Sequence, residues 1–193
     1  MNIQEGKLLY HLTDIRNIRK IIEKGLLSRS SLESRGLVFT DVADEEILDF
    51  RRMHNLNCFV PFHFFAKNPF DGRVQIDNPD IEFVYICIKR SVARHMGFQI
   101  IPRHPLNMVP FIIYDYEDGF NNIDWATMEN RDYADYECKE ICMAESIYLG
   151  DLGNDSFFSI NVISERSKKY VEDLLDDYGI TNIYVNTTPY YFI

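Results

Sequence analysis

The sequence predicts a mixed α+β fold in which a buried β core is surrounded by helices. Apolar residues recur at helical spacing in segments 14–24 and 164–179, and they alternate or run continuously in segments 57–65 and 82–89. With 193 residues, 46% of them hydrophobic, the chain is long enough to bury a sizeable core. No repeat, low-complexity tract or linker divides it, so we expect a single domain spanning residues 1–193.

The clearest helix is predicted from Asp14 to Lys24, where four isoleucines fall on one face. Thr13 or Asp14 is placed to cap its start, and Gly25 is placed to end it. The polar, acidic stretch over 36–46 predicts an exposed loop, which leads into a short helix ending at a pair of arginines.

Two strands are predicted in the middle of the chain. Residues 57–65 alternate between two faces, and Pro61, which has no N–H to donate, places this strand at a sheet edge or a bulge. Residues 82–89 are apolar on both faces, as is typical of a central strand. The remaining elements are predicted, in chain order, as a helix capped by Ser91 and ended near Gly97, a strand over 108–114, helices over 123–131 and 135–142, a strand over 156–163, a helix from Ser164 to Gly179 and a strand over 180–185.

The charge distribution limits the partners that the protein can bind. The chain has a formal net charge of −10 at pH 7, which argues against tight, nonspecific wrapping of a duplex. The acidic residues are unevenly spread, because residues 1–106 carry 15 Lys and Arg against 13 Asp and Glu, whereas residues 107–193 carry 5 against 17. A polyanionic partner is therefore expected to contact the N-terminal half.

Several classes of function are disfavoured by motifs that the sequence lacks. The nine glycines form neither a G-x-G-x-x-G nor a phosphate-binding loop with a following lysine. Cys58 and His63 are close in sequence, but strand alternation sends them to opposite faces, so we expect no metal site. No apolar run reaches the length of a membrane span, and residues 1–5 lack the layout of a signal peptide. We therefore expect a cytoplasmic protein that does not bind a membrane.

Three groups of polar residues are set among apolar ones and are candidates for chemistry. His11 and Thr13 precede the first helix, whose N-terminal amides can bind a polar ligand, although a buried hydrogen-bonding pair is the alternative. Arg51 and Arg52 can clamp a pyrophosphate, or they can form an ordinary solvated face. Glu145 is the single carboxylate in an apolar run, so it is either paired with a cation or functional.

Four motifs follow one another along the chain in a fixed order. They are an H-x-T opening at 11–13 followed by a helix and Gly25-Leu26, two arginines before a V-P-F-aromatic strand at 60–64, Asp124-Trp125 upstream of Ala144-Glu145, and an aromatic end at 190–192. In this order, over nearly the whole chain, they resemble the DarT family of bacterial toxins, which ADP-ribosylate DNA bases. The resemblance implies an ADP-ribosyltransferase fold, in which a split, twisted β core and surrounding helices form an NAD cleft.

The resemblance also implies roles for individual residues, with NAD as the co-substrate and no metal. The positions implied to bind the nicotinamide and its ribose are His11, Thr13 and Asn17. Arg52 is implied as the catalytic arginine near the pyrophosphate, with Arg51 as the register alternative.

Glu145 is implied as the catalytic glutamate, and elementary chemistry agrees with this role. Breaking the bond between nicotinamide and ribose builds positive charge on the sugar, which a carboxylate stabilises. A partly desolvated glutamate with a raised pKa is also expected to take the proton that the attacking base loses. Glu140, five residues earlier on a predicted helix, is the weaker candidate because it faces elsewhere.

The chain departs from the family pattern where it would contact the acceptor. The family has Y-F-x-x-R-S-P-M where this chain has residues 64–70, with Lys67 in place of the arginine. The family's histidine after a T-D pair is not found, the nearest segment being 114–117. The acceptor therefore stays open between thymidine in DNA, guanine in DNA and a base in RNA.

The leading hypothesis is a mono-ADP-ribosyltransferase that uses NAD to modify a base in single-stranded DNA or RNA. It would act as the toxin of a toxin–antitoxin or phage-defence system, with an antitoxin partner that in the family is often a macrodomain ADP-ribosylglycohydrolase. Two alternatives are an ADP-ribosyltransferase with a protein acceptor and a non-catalytic binding module on the same fold.

Overall fold

Eight strands form one sheet in the residues that the structure describes. The structure is a computed structural model, which describes residues 2–40, 45–107 and 111–193. Numbered in chain order, the strands are β1 (Leu8–Asp14), β2 (Phe59–His63), β3 (Phe83–Lys89), β4 (Gln99–Ile101), β5 (Tyr114–Asp115), β6 (Glu145–Leu149), β7 (Ser159–Val162) and β8 (Tyr184–Thr187). Their order across the sheet is β5-β4-β6-β2-β1-β3-β7-β8, and neighbouring strands are antiparallel except for β7 and β8.

Nine α-helices accompany this sheet within the same described residues. They are α1 (Ile18–Lys24), α2 (Arg29–Ser34), α3 (Glu45–Met53), α4 (Pro69–Asp77), α5 (Arg90–His95), α6 (Tyr116–Asn122), α7 (Trp125–Asn130), α8 (Tyr136–Ile141) and α9 (Glu165–Asp177). The predicted mixed α+β architecture is confirmed. Among the described residues, no helix has the length and apolar character needed to cross a bilayer, and no three His, Cys, Asp or Glu side chains are grouped as metal ligands.

The helices divide between the two faces of the sheet. Apolar side chains of α1, α5, α7, α8 and α9 share the largest core cluster with Val84 and Ile86 of β3. Val74 of α4 packs instead with Tyr85 and Cys87 of the same strand. Because successive strand residues point to opposite faces, these two clusters lie on opposite sides of the sheet. Helix α3 contributes to a third cluster, with Ile101 of β4 and Ile147 of β6.

The sheet is split between β1 and β2. These strands pair at Tyr10 and His63, whereas β1 pairs with β3 along its full length. Past that point β1 and β2 separate, and Nδ1 of the His11 ring lies across the gap, 2.8 Å from the carbonyl oxygen of Pro61. The split that the family resemblance implies is therefore present, and it opens a gap in the sheet beside the end of β1.

The predicted edge position of Pro61 is wrong. Strand β2 lies inside the sheet, between β6 and β1, and Pro61 pairs with Ile147 of β6. The N–H and C=O of one strand residue point to the same side of the strand. Because the Pro61 carbonyl faces His11 on β1, the missing N–H also faces the split, where there is no ladder hydrogen bond to lose.

Several boundaries follow the local signals that predict them. The Asp14 side chain accepts a hydrogen bond from the backbone of a short 3-10 turn, Ile15–Asn17, that leads into α1, and Gly25 ends α1 with a φ of 83°. Ser164 caps α9, and Gly179 follows that helix with a φ of 67°. These left-handed φ values favour glycine, which explains why both helices end where the sequence indicates.

Other predictions are wrong or incomplete. Ser91 lies inside α5, whose N-cap is Lys89, and the last strand begins at Tyr184 rather than at residue 180. The sequence does not predict α2, α4 and α6, because none of these three segments shows a clear apolar period. Residues 41–44 of the predicted loop and 108–110 of a predicted strand lie outside the described residues.

Candidate active site

A large cleft lies beside the split in the sheet. Its walls surround about 1380 Å³ of space free of protein atoms, a volume that includes the opening to solvent. Strands β1, β2 and β6 contribute to its floor, and α1, α3 and α4 contribute to its walls. The residues from the sequence-based prediction that line it are His11, Thr13, Asn17, Arg51 and Glu145.

A buried ion pair joins two of these residues. Glu145 begins β6, and Arg51 comes from the last turn of α3. The Nη1 atom of Arg51 lies 3.0 Å from both carboxylate oxygens of Glu145, and the side chains are only 4% and 7% exposed. Among the described residues, Nε and Nη2 of Arg51 have no hydrogen-bond partner. Unpaired buried donors are costly, so an anionic ligand that reached these two atoms would be stabilised by them.

The charge of Glu145 is set by its neighbours. Burial acts to raise the pKa of this carboxyl, but the guanidinium of Arg51, with smaller contributions from His63 and His104, holds the pKa below its usual value. The expectation of a raised pKa is therefore wrong. An ionised carboxylate at the floor of the cleft suits stabilisation of a cationic transition state.

Two histidines that the sequence does not identify as site residues lie beside Glu145. His63 is the register partner of Glu145 across β2 and β6, and its Nδ1 lies 3.1 Å from the carbonyl oxygen of Ala144. His104 lines the cleft after β4, and its buried Nδ1 has no hydrogen-bond partner among the described residues. Burial lowers the pKa of both rings, although Glu145 acts to raise it. Both imidazoles are therefore neutral at pH 7.

His11 is also neutral and presents an acceptor. Burial lowers its pKa to about 4, against the opposing effect of the hydrogen bond to Pro61. A carbonyl oxygen can only accept, so the neutral ring donates from Nδ1 to Pro61 and leaves Nε2 as an acceptor. Such an acceptor suits a carboxamide or a ribose hydroxyl.

The amide of Asn17 is occupied by contacts within the protein. Its Nδ2 donates to the carbonyl of Thr40 at 3.0 Å and lies 3.3 Å from Oγ1 of Thr13, and its Oδ1 accepts from the backbone N–H of Thr40 at 3.0 Å. Asn17 thus holds segment 37–40 against the cleft. Its direct contact with NAD stays a prediction.

Arg52 does not lie in the cleft. Its side chain is 54% exposed, with Nη1 2.8 Å from Asp49 and Nη2 3.9 Å from Glu33. Adjacent residues of an α-helix point about 100° apart, so only one arginine of the pair can face the cleft. That residue is Arg51, the alternative to Arg52 in the sequence-based prediction. The expected position of Arg52 near the ligand is wrong, because its side chain lies at the surface.

Thermal stability is expected to fall as the pH is lowered from about 6.5 towards 4, because His11, His63 and His104 are buried in neutral form. Their folded pKa values lie below the unfolded value of about 6.5, so the unfolded chain binds more protons in this window and unfolding is favoured. The check is a series of melting temperatures between pH 4 and 8 for the wild type and for His11→Gln. The variant should lose less stability on acidification, and parallel curves would contradict a buried neutral His11.

The fold and the site together define an ADP-ribosyltransferase, with a split sheet and an arginine–glutamate pair at the floor of a large cleft. A family model described as "ssDNA thymidine ADP-ribosyltransferase, DarT" matches residues 10–193, so the chain belongs to the DarT family. Members of this family use NAD as the donor of ADP-ribose.

Solved structures of this family have the same fold. DarT of Thermus sp. 2.9 in complex with ADP-ribosylated ssDNA has a TM-score of 0.82 and 18% identity, covering 98% of this chain and 97% of that one. The same protein in complex with NAD+ has a TM-score of 0.78 and 17% identity, covering 98% of each chain. DarTG of Thermosipho africanus in complex with ADP-ribose has a TM-score of 0.77 and 20% identity, covering 96% of this chain and 51% of that one. No curated protein sequence matches the chain.

Proposed function

We propose that this protein transfers ADP-ribose from NAD to a base in single-stranded DNA, with Glu145 and Arg51 as the catalytic pair. The observation that carries the proposal is the buried ion pair: an ionised carboxylate lies at the cleft beside two guanidinium nitrogens that have no hydrogen-bond partner among the described residues. A purely structural ion pair has no need of unpaired donors, whereas a site for an anionic substrate does.

NAD binding in this proposal uses two sides of the cleft. The pyrophosphate accepts hydrogen bonds from Nε and Nη2 of Arg51, which can donate as a fork. Nε2 of His11 and the hydroxyl of Thr13, both on β1, face the nicotinamide ribose and carboxamide. Membership of an NAD-dependent family supports this placement.

The reaction breaks the bond between C1′ of the ribose and the nicotinamide nitrogen. The bonding electron pair leaves with nicotinamide, which becomes neutral, and positive charge develops on the sugar. The carboxylate of Glu145 stabilises that charge. A base nitrogen then forms the new bond to C1′, and its proton passes to Glu145.

Arg51 also controls how readily Glu145 accepts a proton. While Nη1 contacts both oxygens, the carboxylate of Glu145 is a poor proton acceptor, because its pKa is held low. Negative charge from the NAD pyrophosphate competes for the same guanidinium. NAD binding is therefore expected to loosen the hold of Arg51 on Glu145 and to raise the basicity of the carboxylate when it is needed.

Single-stranded DNA is the acceptor that the observations favour. The family description names single-stranded DNA and thymidine, and a chain with a net charge of −10 is poorly suited to wrapping a duplex. In an unpaired strand the base can enter a cleft and stack on aromatic side chains without the cost of melting a duplex. Phe70 of α4 and Phe50 of α3 supply such rings at the cleft.

We also propose that the protein acts as a toxin in the cytoplasm and requires an antitoxin. A chain that modifies DNA bases would damage the cell that produces it, so its activity must be restrained or its product removed. A macrodomain ADP-ribosylglycohydrolase has the matching chemistry, since it would release ADP-ribose from the modified base. The similarity to a DarTG structure supports the presence of such a partner.

The test is incubation of the purified protein with NAD labelled in the adenylate and with separate pools of single-stranded DNA, RNA and protein. We expect label on DNA, removed by nuclease and not by protease. Label on RNA would change the acceptor class, and label on protein would replace nucleic acid as the substrate. No transfer to any pool would overturn the proposal.

A further inference from the structure

Asp71 is a buried carboxyl group in the cleft that the reaction described above does not use. It lies in the first turn of α4, is 1% exposed and lines the cleft. Among the residues that the structure describes, its side-chain hydrogen-bond partners are neutral groups, and no cation is among the groups that shift its pKa. A buried carboxyl without a cation is costly to keep ionised, so its presence at a substrate cleft calls for a function.

The hydrogen bonds of this side chain fall on one oxygen. Oδ2 of Asp71 accepts from Nδ2 of Asn68 at 2.6 Å and from the hydroxyl of Tyr85 at 3.0 Å. The Tyr85 hydroxyl in turn accepts from the backbone N–H of Lys67 at 2.9 Å, which leaves its hydrogen to point at Asp71. Oδ1 is therefore the oxygen that remains for a ligand.

The surroundings of Asp71 favour the protonated form of the carboxyl group at neutral pH, because the side chain is buried. Burial raises the pKa of Asp71 to about 8, even though the hydrogen bonds from Tyr85 and Asn68 act to lower it. Because Oδ2 already accepts two hydrogen bonds, the proton lies on Oδ1. A neutral carboxyl group held in this way is an O–H donor rather than an acceptor.

The wall that carries Asp71 also carries side chains suited to binding an acceptor base. Phe70 and Val74, which flank it on α4, line both the main cleft and a smaller adjoining pocket that also contains Lys139. An aromatic ring and a cation are the groups with which proteins bind unpaired nucleotides. The residues assigned to NAD come instead from β1 and α3.

We infer that Asp71 donates a hydrogen bond to a carbonyl oxygen of the acceptor base, and thereby selects bases in which a carbonyl adjoins the reacting ring N–H. This inference rests on the proposed function. Thymine and uracil have an N–H between two carbonyls, and guanine has an N–H beside one, whereas adenine has no carbonyl. As Glu145 removes the proton from the ring nitrogen, negative charge spreads onto the neighbouring oxygen, where the donor from Asp71 stabilises it.

The test uses single-stranded oligonucleotides that differ at one thymidine, which is replaced by 4-thiothymidine or 2-thiothymidine. Sulfur is a weak acceptor, so wild-type transfer is expected to fall about tenfold for one of the two analogues, as for the loss of one hydrogen bond in a buried site. Asp71→Leu has the same branched arrangement of four side-chain heavy atoms but no donor. It should lower transfer to thymidine to about the same level and abolish the difference between thymidine and its thio analogues. Asp71→Asn, whose amide can donate from the same place, should retain it.

The outcomes separate this inference from the proposed function. Stabilisation of each variant by NAD in a thermal melt reports an intact fold and NAD site. Equal wild-type transfer to all three oligonucleotides overturns the inference whether or not the variants fold, and so does discrimination that persists in Asp71→Leu. If guanine is the labelled base, 6-thioguanosine is the matching probe. Failure of the proposed function would instead appear as no wild-type transfer to any DNA.

Discussion

Replacing Glu145 by Gln is expected to lower ADP-ribose transfer about 10³-fold while the protein stays folded. Acceptance of a proton typically contributes about 10²–10⁴-fold and stabilisation of transition-state charge about 10²–10³-fold, and Glu145 is proposed for both. Gln fills nearly the same volume and still accepts a hydrogen bond from Nη1 of Arg51, but it carries no negative charge. The measurement is single-turnover transfer of label from saturating NAD to single-stranded DNA.

Glu140→Gln is the matched control for this variant. Glu140 is also a buried glutamate, on α8, but it is not among the described residues that line the cleft. Its replacement should leave the rate of transfer unchanged. A Glu145→Gln variant that transfers at the wild-type rate would exclude the carboxylate from the reaction, and the second glutamate would show whether the chemistry lies there instead.

The sequence predicts those parts of the fold and site that depend on local signals. The isoleucine face of α1 and the continuous apolar run of β3 are buried whatever the rest of the chain does, because apolar side chains avoid water. Both elements therefore appear where the pattern places them. Glu145 could be found in the same way, because a single carboxylate in an apolar strand must be paired or functional. The partner of Glu145 could not be found from periodicity. Whether Arg51 or Arg52 faces Glu145 depends on how α3 packs against the sheet.

The histidines and Pro61 show where local signals stop. His63 follows the V-P-F motif. The alternation of residues along its strand predicts which face of the sheet His63 lies on, but it does not predict that the neighbouring strand brings Glu145 beside it. His104 lies in a segment without any motif, and only the strand order places it at the cleft. Pro61 normally marks an edge, but the split in the sheet creates an internal position with no hydrogen bond to make.

The lowered pKa of Glu145 also depends on a contact between residues that are distant in sequence. Burial of a carboxylate can be inferred from its apolar neighbours in sequence, and burial alone raises a pKa. The guanidinium that reverses this effect is 94 residues away in the chain. A raised pKa would have made Glu145 a ready proton acceptor in the free protein. With the lowered pKa, the proposed role of Glu145 as proton acceptor requires that a ligand weaken its pairing with Arg51.

Replacing the adjacent residues Arg51 and Arg52 by Ala is expected to give opposite results. Arg51→Ala leaves Glu145 buried without its counter-charge, which should lower the free energy of unfolding by about 3–5 kcal/mol, the cost typical of breaking a buried pair. Among the described residues, Arg52→Ala removes exposed ion pairs with Asp49 and Glu33, each of which is worth about 0–1 kcal/mol. Urea unfolding of both variants measures this difference directly.

Transfer activity should separate the same two variants. Arg51→Ala is expected to lose about 10²-fold or more, since it removes both the donors for the pyrophosphate and the partner of Glu145. Arg52→Ala should transfer at the wild-type rate, and Arg51→Lys should regain stability more than activity, because an ammonium keeps the charge but not the fork of donors. If Arg52→Ala were instead the inactive variant, α3 would have to turn by about one residue when NAD binds, exchanging which arginine faces Glu145.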